Sequence, residues 1–348
     1  ATYNTALGLG AMDAITQGDY NVVVGYNAGT AITTGSHNVL LGGKAGDSLT
    51  TGDQNIAIGY EALQYEDTDG RNIAIGHQSL NSLRAGADGY NIAIGYDAGV
   101  TMSTGINNVL IGGQAGDSLT SGSYNIAIGR LALAAEDADG YNIAIGYAAL
   151  NTQNAGAAAY NVAVGHNAGT AITTGTNNVI VGGLAGDALT TGEYNIAIGR
   201  DALTTEDTGD RNVAIGYGAL YNLNYDGAAY NVAVGHSAGS QMTTGTSNTL
   251  IGGLAGDALT DGNANVAVGR GALSGETRGD RNVAIGYEAL LAQNNTSDVD
   301  AYNVAIGYAA GTAVTTGVKN VIMGGLAGDA LTTGGESVAI GYGALSTE

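Results

Sequence analysis

Asn55-Ile56-Ala57-Ile58-Gly59 recurs, with small variations, along the whole chain. Its equivalents begin at positions 4, 21, 38, 55, 72, 91, 108, 125, 142, 161, 178, 195, 212, 231, 248, 265, 282, 303, 320 and 337. The first residue is Asn in every copy but the last, which starts with Ser337, and the fifth is always Gly. Apolar residues on either side of a small one alternate with the period of a strand. β-Branched Ile and Val favour that state, and Gly then permits a sharp turn. Self-similarity at a fixed period marks a repeat architecture.

The spacing carries a second rhythm. Most steps are 17 residues, but those from 72 to 91, 142 to 161 and 212 to 231 are 19, and that from 282 to 303 is 21. The larger unit is therefore a block of about 70 residues with four coil types, A (from Asn21), B (from Asn38), C (from Asn55) and D (from Asn72). The blocks run 21–90, 91–160, 161–230, 231–302 and a partial 303–348, after an N-terminal coil at 4–20. Seventeen residues hold two short strands and two turns, not a strand and a helix of useful length. The spacing predicts an all-β fold, a parallel β-solenoid or β-roll of about twenty coils forming one continuous domain over 1–348. At ~4.8 Å per coil it would be a rod of roughly 95 Å.

Composition agrees. The 348 residues include 60 Gly, 20 Tyr and no Pro, Cys, Trp or Phe. A thick globular core normally uses large aromatics, so this one is expected to be thin and aliphatic. Strict spacing of the apolar residues argues against disorder. A net charge of −21 repels nucleic acid and anionic membranes. Without Cys there is no disulfide framework, thiol catalysis or zinc–thiolate site. No apolar run approaches the ~20 residues of a membrane span, and no signal peptide is apparent.

Counting from the Asn, positions one and three are aliphatic, as in Val24, Ile58 and Ile128, and are expected to line the interior. Position two, usually Ala as at Ala57 and Ala127, would then form an outer strip for close packing of another chain; the reverse orientation stays open. B coils instead carry Leu40, Leu110, Ile180, Leu250 and Ile322 at position two, each followed by a second Gly: Gly43, Gly113, Gly183, Gly253 and Gly325. That pairing suggests packing against something periodic, such as a partner chain. Position eight is Gly in A and B coils and Leu in C and D coils (Leu63, Leu80), while position eleven supplies Ile32, Leu49, Met102 or Leu119 in A and B coils. Volume is exchanged between two places, as a close-packed core requires.

The remaining polar columns read as structural. Asn21, Asn38, Asn55, Asn72, Asn91, Asn108, Asn125 and Asn142 would form an amide ladder, with Gly25, Gly59, Gly95 and Gly129 at the turn beside it. His37, His77, His166 and His236 have no metal-ligand spacing. No nucleophile elbow, Walker loop or dinucleotide fingerprint stands in a fitting context, so neither enzymatic activity nor a catalytic residue is expected. Asp47, Asp117, Asp187, Asp257 and Asp329 recur in B coils, and Glu66-Asp67, Glu136-Asp137, Glu206-Asp207 and Glu276 in C coils. Members of a column lie ~19 Å apart, so calcium would need loop carbonyls or a partner chain; turn capping and solvation are the simpler reading. Arg71, Arg211 and Arg281 are expected to pair with the C-coil acids, and Arg278-Gly279-Asp280 is one variant of that same turn. The D-coil loops, 81–90, 151–160, 221–230 and 291–302, vary most and are the first candidates for specific contacts.

The runs Asn212-Val213-Ala214-Ile215-Gly216 and Ser337-Val338-Ala339-Ile340-Gly341 resemble the head repeats of trimeric autotransporter adhesins, whose Asn-Ser-Val-Ala-Ile-Gly motifs fold as left-handed parallel β-rolls. The longer form, Asn161 to Gly175, is similar to shaft repeats of phage tail fibres. The resemblance spans essentially the whole chain and implies a trimer. The chain departs from it in its longer 17-residue coil and in showing no neck, coiled-coil stalk, membrane anchor or chaperone domain. The coil order, D then ABCD four times then ABC, would let copies continue each other head to tail. The expected function is a stiff, self-associating component of an extracellular fibre or filament, on a cell surface or virion. A module binding host surface or glycan is the alternative. An ice-binding solenoid, suggested by Thr33-Thr34, Thr173-Thr174 and Thr243-Thr244, is a third possibility.

Overall fold

The computed structural model of the chain describes residues 1–68, 70–86, 88–138 and 140–346. It is all-β: twenty three-residue strands about 17 residues apart, from Thr5–Leu7 to Val338–Ile340, wind into a parallel β-solenoid of about twenty turns. Among the described residues there is no helix. The chain divides into two compact units, Ala1–Thr176 and Asn177–Glu348, with ten strands each. In the first, each strand lies parallel to the next and in register, as where Ile56, Ala57 and Ile58 face Ile73, Ala74 and Ile75. In the second, Ile196, Ala197 and Ile198 face Val213, Ala214 and Ile215 in the same way.

Each coil holds one strand, not the two expected. The rest of the coil turns through left-handed backbone at positions six, eight and sixteen, as at Glu61 (φ 56), Leu63 (φ 53) and Arg71 (φ 63). That conformation cannot extend into a second strand. Hydrogen bonds to the following coil still satisfy this backbone: Gly29 N–H donates to the Ala45 carbonyl at 2.9 Å, and Thr33 N–H to the Thr50 carbonyl at 2.9 Å.

The strands face the opposite way from the first expectation. Their middle residue points inward: Ala57, Ala127 and Ala197 are fully buried. The flanking aliphatics, such as Ile56 and Ile58, are only half-buried. Size explains this. In C and D coils the interior must also hold the large residue of position eight, such as Leu63 and Leu80, both fully buried. Little more than a methyl fits opposite them. The B-coil exception therefore has an internal cause, not a partner chain. Leu40 fills space left by position-eight glycines, since a Cβ on Gly29 or Gly46 would come within 2.8 or 3.0 Å of its methyl.

Two columns hold the coil together. From Asn21 to Asn320 the Asn of each coil is buried, and main-chain N–H groups bind the side-chain oxygen of the Asn one coil earlier, as from Asn38 to Asn21 at 2.9 Å. In A and B coils the Asn side-chain amide closes the coil, as from Asn21 to the Gly35 carbonyl at 2.8 Å, whereas in D coils Asn72 and Asn212 donate to Gly70 and Asp210 just before them. Asn91 and Asn108 repeat this geometry, with closing bonds of 2.9 Å to Gly105 and Gly122. The turn Gly column admits nothing larger: Gly59 has φ 137, and a Cβ there would lie 2.3 Å from the Gly76 carbonyl oxygen. Gly25, Gly95 and Gly129 sit against Gly42, Gly112 and Gly146 in the same way.

Candidate interaction face

Because the alanines point in, the Ile and Val side chains point out and form two parallel aliphatic columns on each unit. Several are more than a third exposed, including Ile94, Ile198, Ile251 and Met323. Two further columns bracket them. The leading column is the residue immediately before each Asn, and the trailing column is the residue immediately after each turn Gly. Together they take seventeen of the 20 Tyr, all four His, and seven of the ten Lys and Arg, but only one of the 31 acids, Glu336. The columns themselves thus hold almost no acid in a chain of net charge −21, although carboxylates of adjoining positions reach their edge, as Asp97 does at His77 and Glu288 at Arg270. Contiguous exposed apolar surface of this kind marks a contact site.

The rings stack along the coil direction. In the trailing column Tyr60, His77 and Tyr96 form a triplet with centroids 5.6 and 5.2 Å apart. Arg130 lies over Tyr147, which stacks on His166 at 5.2 Å. Arg270, Tyr287 and Tyr308 repeat the pattern in the second unit. Each triplet covers a C, D and A coil; the B coils contribute Gly43, Gly113, Gly183, Gly253 and Gly325 and interrupt the stack. The leading column stacks likewise, with Tyr3, Tyr20 and His37 in one group and Tyr124, Tyr141 and Tyr160 in another. Its regularity was readable in the sequence from the crowding of Tyr and Arg into two of seventeen places.

The acidic columns separate by burial. The C-coil glutamates Glu66, Glu136, Glu206 and Glu276 are fully buried, whereas Asp67 and Asp137 beside them are exposed. A signal for this was present: Glu66 occupies position eleven, where A and B coils place Ile, Leu or Met. Glu276 accepts hydrogen bonds from the backbone N–H groups of Thr277, Arg278, Gly279 and Asn295 and from the side-chain amides of Gln293 and Asn295. The Arg278-Gly279-Asp280 turn is thus wrapped around a buried carboxylate. Glu206 has fewer donors, from Gly209 at 2.8 Å and Tyr225 at 3.3 Å, and burial pushes its pKa up to about 7. Arg71 and Arg281 pair with Asp88 and Asp300 of the D loops and lie over Tyr90 and Tyr302, not against the C-coil glutamates. Arg211 lies 3.6 Å from Asp210 and over Tyr230.

Asp47, Asp117, Asp187, Asp257 and Asp329 are half-buried, one to a B coil. Burial raises the pKa of Asp117, Asp187 and Asp257. Among the described residues no group of three or more His, Asp and Glu is placed to hold a metal ion. Among the described residues no helix is long and apolar enough to cross a membrane.

These features define a parallel β-solenoid repeat protein with one aliphatic and aromatic face. Comparison with protein-family models, curated proteins and solved structures finds no match to this chain.

Proposed function

We propose that this chain is a structural component of an extracellular fibre or filament that associates with further copies of itself through its strand face. The observation that carries the reading is the outward Ile and Val pair of each strand, half-buried by its own coil and flanked by stacked Tyr. Burying such surface is favourable by about 25 cal/mol per Å², and no ionised carboxylate among the strand residues themselves opposes it. The buried amide ladder and the backbone bonds between coils supply stiffness without a catalytic cleft.

Sedimentation and light scattering of the purified chain test this. Association that strengthens with protein concentration is expected, with elongated assemblies in electron micrographs. A particle that stays monomeric at micromolar concentrations and above sinks the reading. Replacing the outward pair Ile196 and Ile198 by Thr should leave the fold intact and weaken association. Ice binding draws less support, because the hydroxyls of Thr33, Thr50 and Thr120 already donate to carbonyls of the next coil.

A further inference from the structure

We propose that the glycine notches of the trailing column are slots for the tyrosine rings that recur in the leading column of a second copy, so that ring insertion fixes the register between copies. The proposal rests on the self-association reading and adds which surfaces meet.

At Gly113 and Gly253 nothing within the chain explains the glycine, whereas a Cβ on Gly43 or Gly325 would already touch the ring of Tyr60 at 3.4 Å or Tyr342 at 3.5 Å. A Cβ on Gly113 would meet nothing closer than the Tyr96 carbonyl oxygen at 3.9 Å, and one on Gly253 nothing closer than the His236 carbonyl oxygen at 3.9 Å. Neither residue has a positive φ. A glycine without such a need only adds unfolded-state entropy. Each notch is nevertheless bounded by planar groups on both sides, Tyr26 and Tyr60 around Gly43, Tyr96 and Arg130 around Gly113. Two coils separate the bounding groups, roughly 9.6 Å. One inserted ring would then stack on both at about half that distance, matching the 5.2 Å of His77 on Tyr96.

The occupant must repeat at the spacing of the notches, once in four coils. Tyr20, Tyr90, Tyr160, Tyr230 and Tyr302 do so, just before the Asn of every A coil. All are close to half exposed. Their own chain covers one ring face, with Arg71 over Tyr90 and Arg211 over Tyr230. The next coil places Asn107 beside the other face of Tyr90 and Ser247 beside that of Tyr230, where no aromatic group stands; Tyr20 differs, being stacked on His37 of the next coil at 5.1 Å. A second copy carries this spacing by construction; an unrelated protein or a glycan does not. The two columns differ, so the contact is heterologous, one copy's leading column against the next copy's trailing column. Within one unit the face measures roughly 43 Å along ten coils by 20 Å across seven residues. That is close to the ~800 Å² per partner of a specific interface.

The test uses the absence of Cys. In one variant Tyr90→Cys and Gly113→Cys are combined, leaving the other slots intact, and a short bifunctional thiol reagent is added. Within a chain the two thiols stand on opposite flanks of the strand, roughly 20 Å apart, beyond such a reagent. Covalent oligomers are expected from the double variant and from a mixture of the two single variants. Yields no higher than those of either single variant alone overturn the proposal. Filling the notches with Gly43→Tyr, Gly113→Tyr, Gly183→Tyr, Gly253→Tyr and Gly325→Tyr should preserve the circular dichroism and weaken association at least tenfold. Undiminished association overturns the proposal, including the case of a slot kept for a foreign aromatic group, and leaves the self-association reading standing. If the filled chain does not fold, Tyr90→Ser with Tyr230→Ser decides, since it removes the ring and keeps the slot. A native chain that is strictly monomeric removes both readings together.

Discussion

The corners at Glu206 and Glu276 are the same place in successive super-repeats, yet they treat one buried carboxylate in two ways. At Glu276 the following D coil supplies Gln293 and Asn295, whose side-chain amides donate to the carboxylate at 2.9 Å each. Gln293 in turn accepts from the ladder residue Asn303 at 3.0 Å, so the acid is tied to the Asn column. At Glu206 the corresponding residues are Leu223 and Tyr225, and only the Tyr225 backbone N–H reaches the carboxylate, at 3.3 Å. Burial without enough donors favours the protonated acid, and the Glu206 pKa rises to about 7. The neighbouring groups do not reverse this: Asp207 beside it repels the charge, and the Gly209 and Tyr225 N–H groups only partly offset burial. The donors differ both in the glutamate's own turn, where Thr277 and Arg278 also donate to Glu276, and in the next coil, which adds Gln293 and Asn295.

This contrast can be broken most severely at its better-built end. Glu276→Leu would strand four backbone N–H groups and two side-chain amides in a dry corner. A loss of about 3 kcal/mol is expected, read by chemical denaturation, with faster amide exchange at Gly279 and Asn295. Similar stability would show that water replaces the carboxylate.

The next effect concerns pH. The folded pKa of Glu206 lies above its unfolded value of 4.5. Its contribution is therefore fully present below about 4.5 and lost as pH rises through about 7, because the unfolded chain releases its proton first. Glu206→Gln should accordingly leave stability unchanged near pH 4 and raise it by about 2 kcal/mol at pH 8. An equal change at both pH values would mean that Glu206 titrates normally.

Exchanging the neighbours sharpens the comparison further. Gln293→Leu removes one of the two side-chain donors that set the fourth corner apart from the third, and should cost about 1.5 kcal/mol at pH 8. The reciprocal Leu223→Gln should lower the Glu206 pKa and stabilise the chain by under about 1 kcal/mol at pH 8, visible in a carboxyl titration. If neither swap moves its glutamate's titration, donors from the next coil are not what distinguishes the corners.

The sequence by itself determined the repeat, its 17-residue step, the four-coil rhythm, the strand position and the all-β solenoid. Each follows from spacing and local chemistry: alternation around Ala57, a turn at Gly59 and an Asn at a constant place are recorded in the chain whatever surrounds it. Only the tertiary structure decided which side of the strand is inside. Ala57 and the pair Ile56 and Ile58 are all apolar, so hydrophobicity cannot choose between them; the narrow space opposite Leu63 does, by admitting the smaller. The same limit hid the buried glutamates. A carboxylate is stable out of water only when donors converge on it, and the donors for Glu276 come from residues 17 and 19 places later, brought over it by the winding of the next coil.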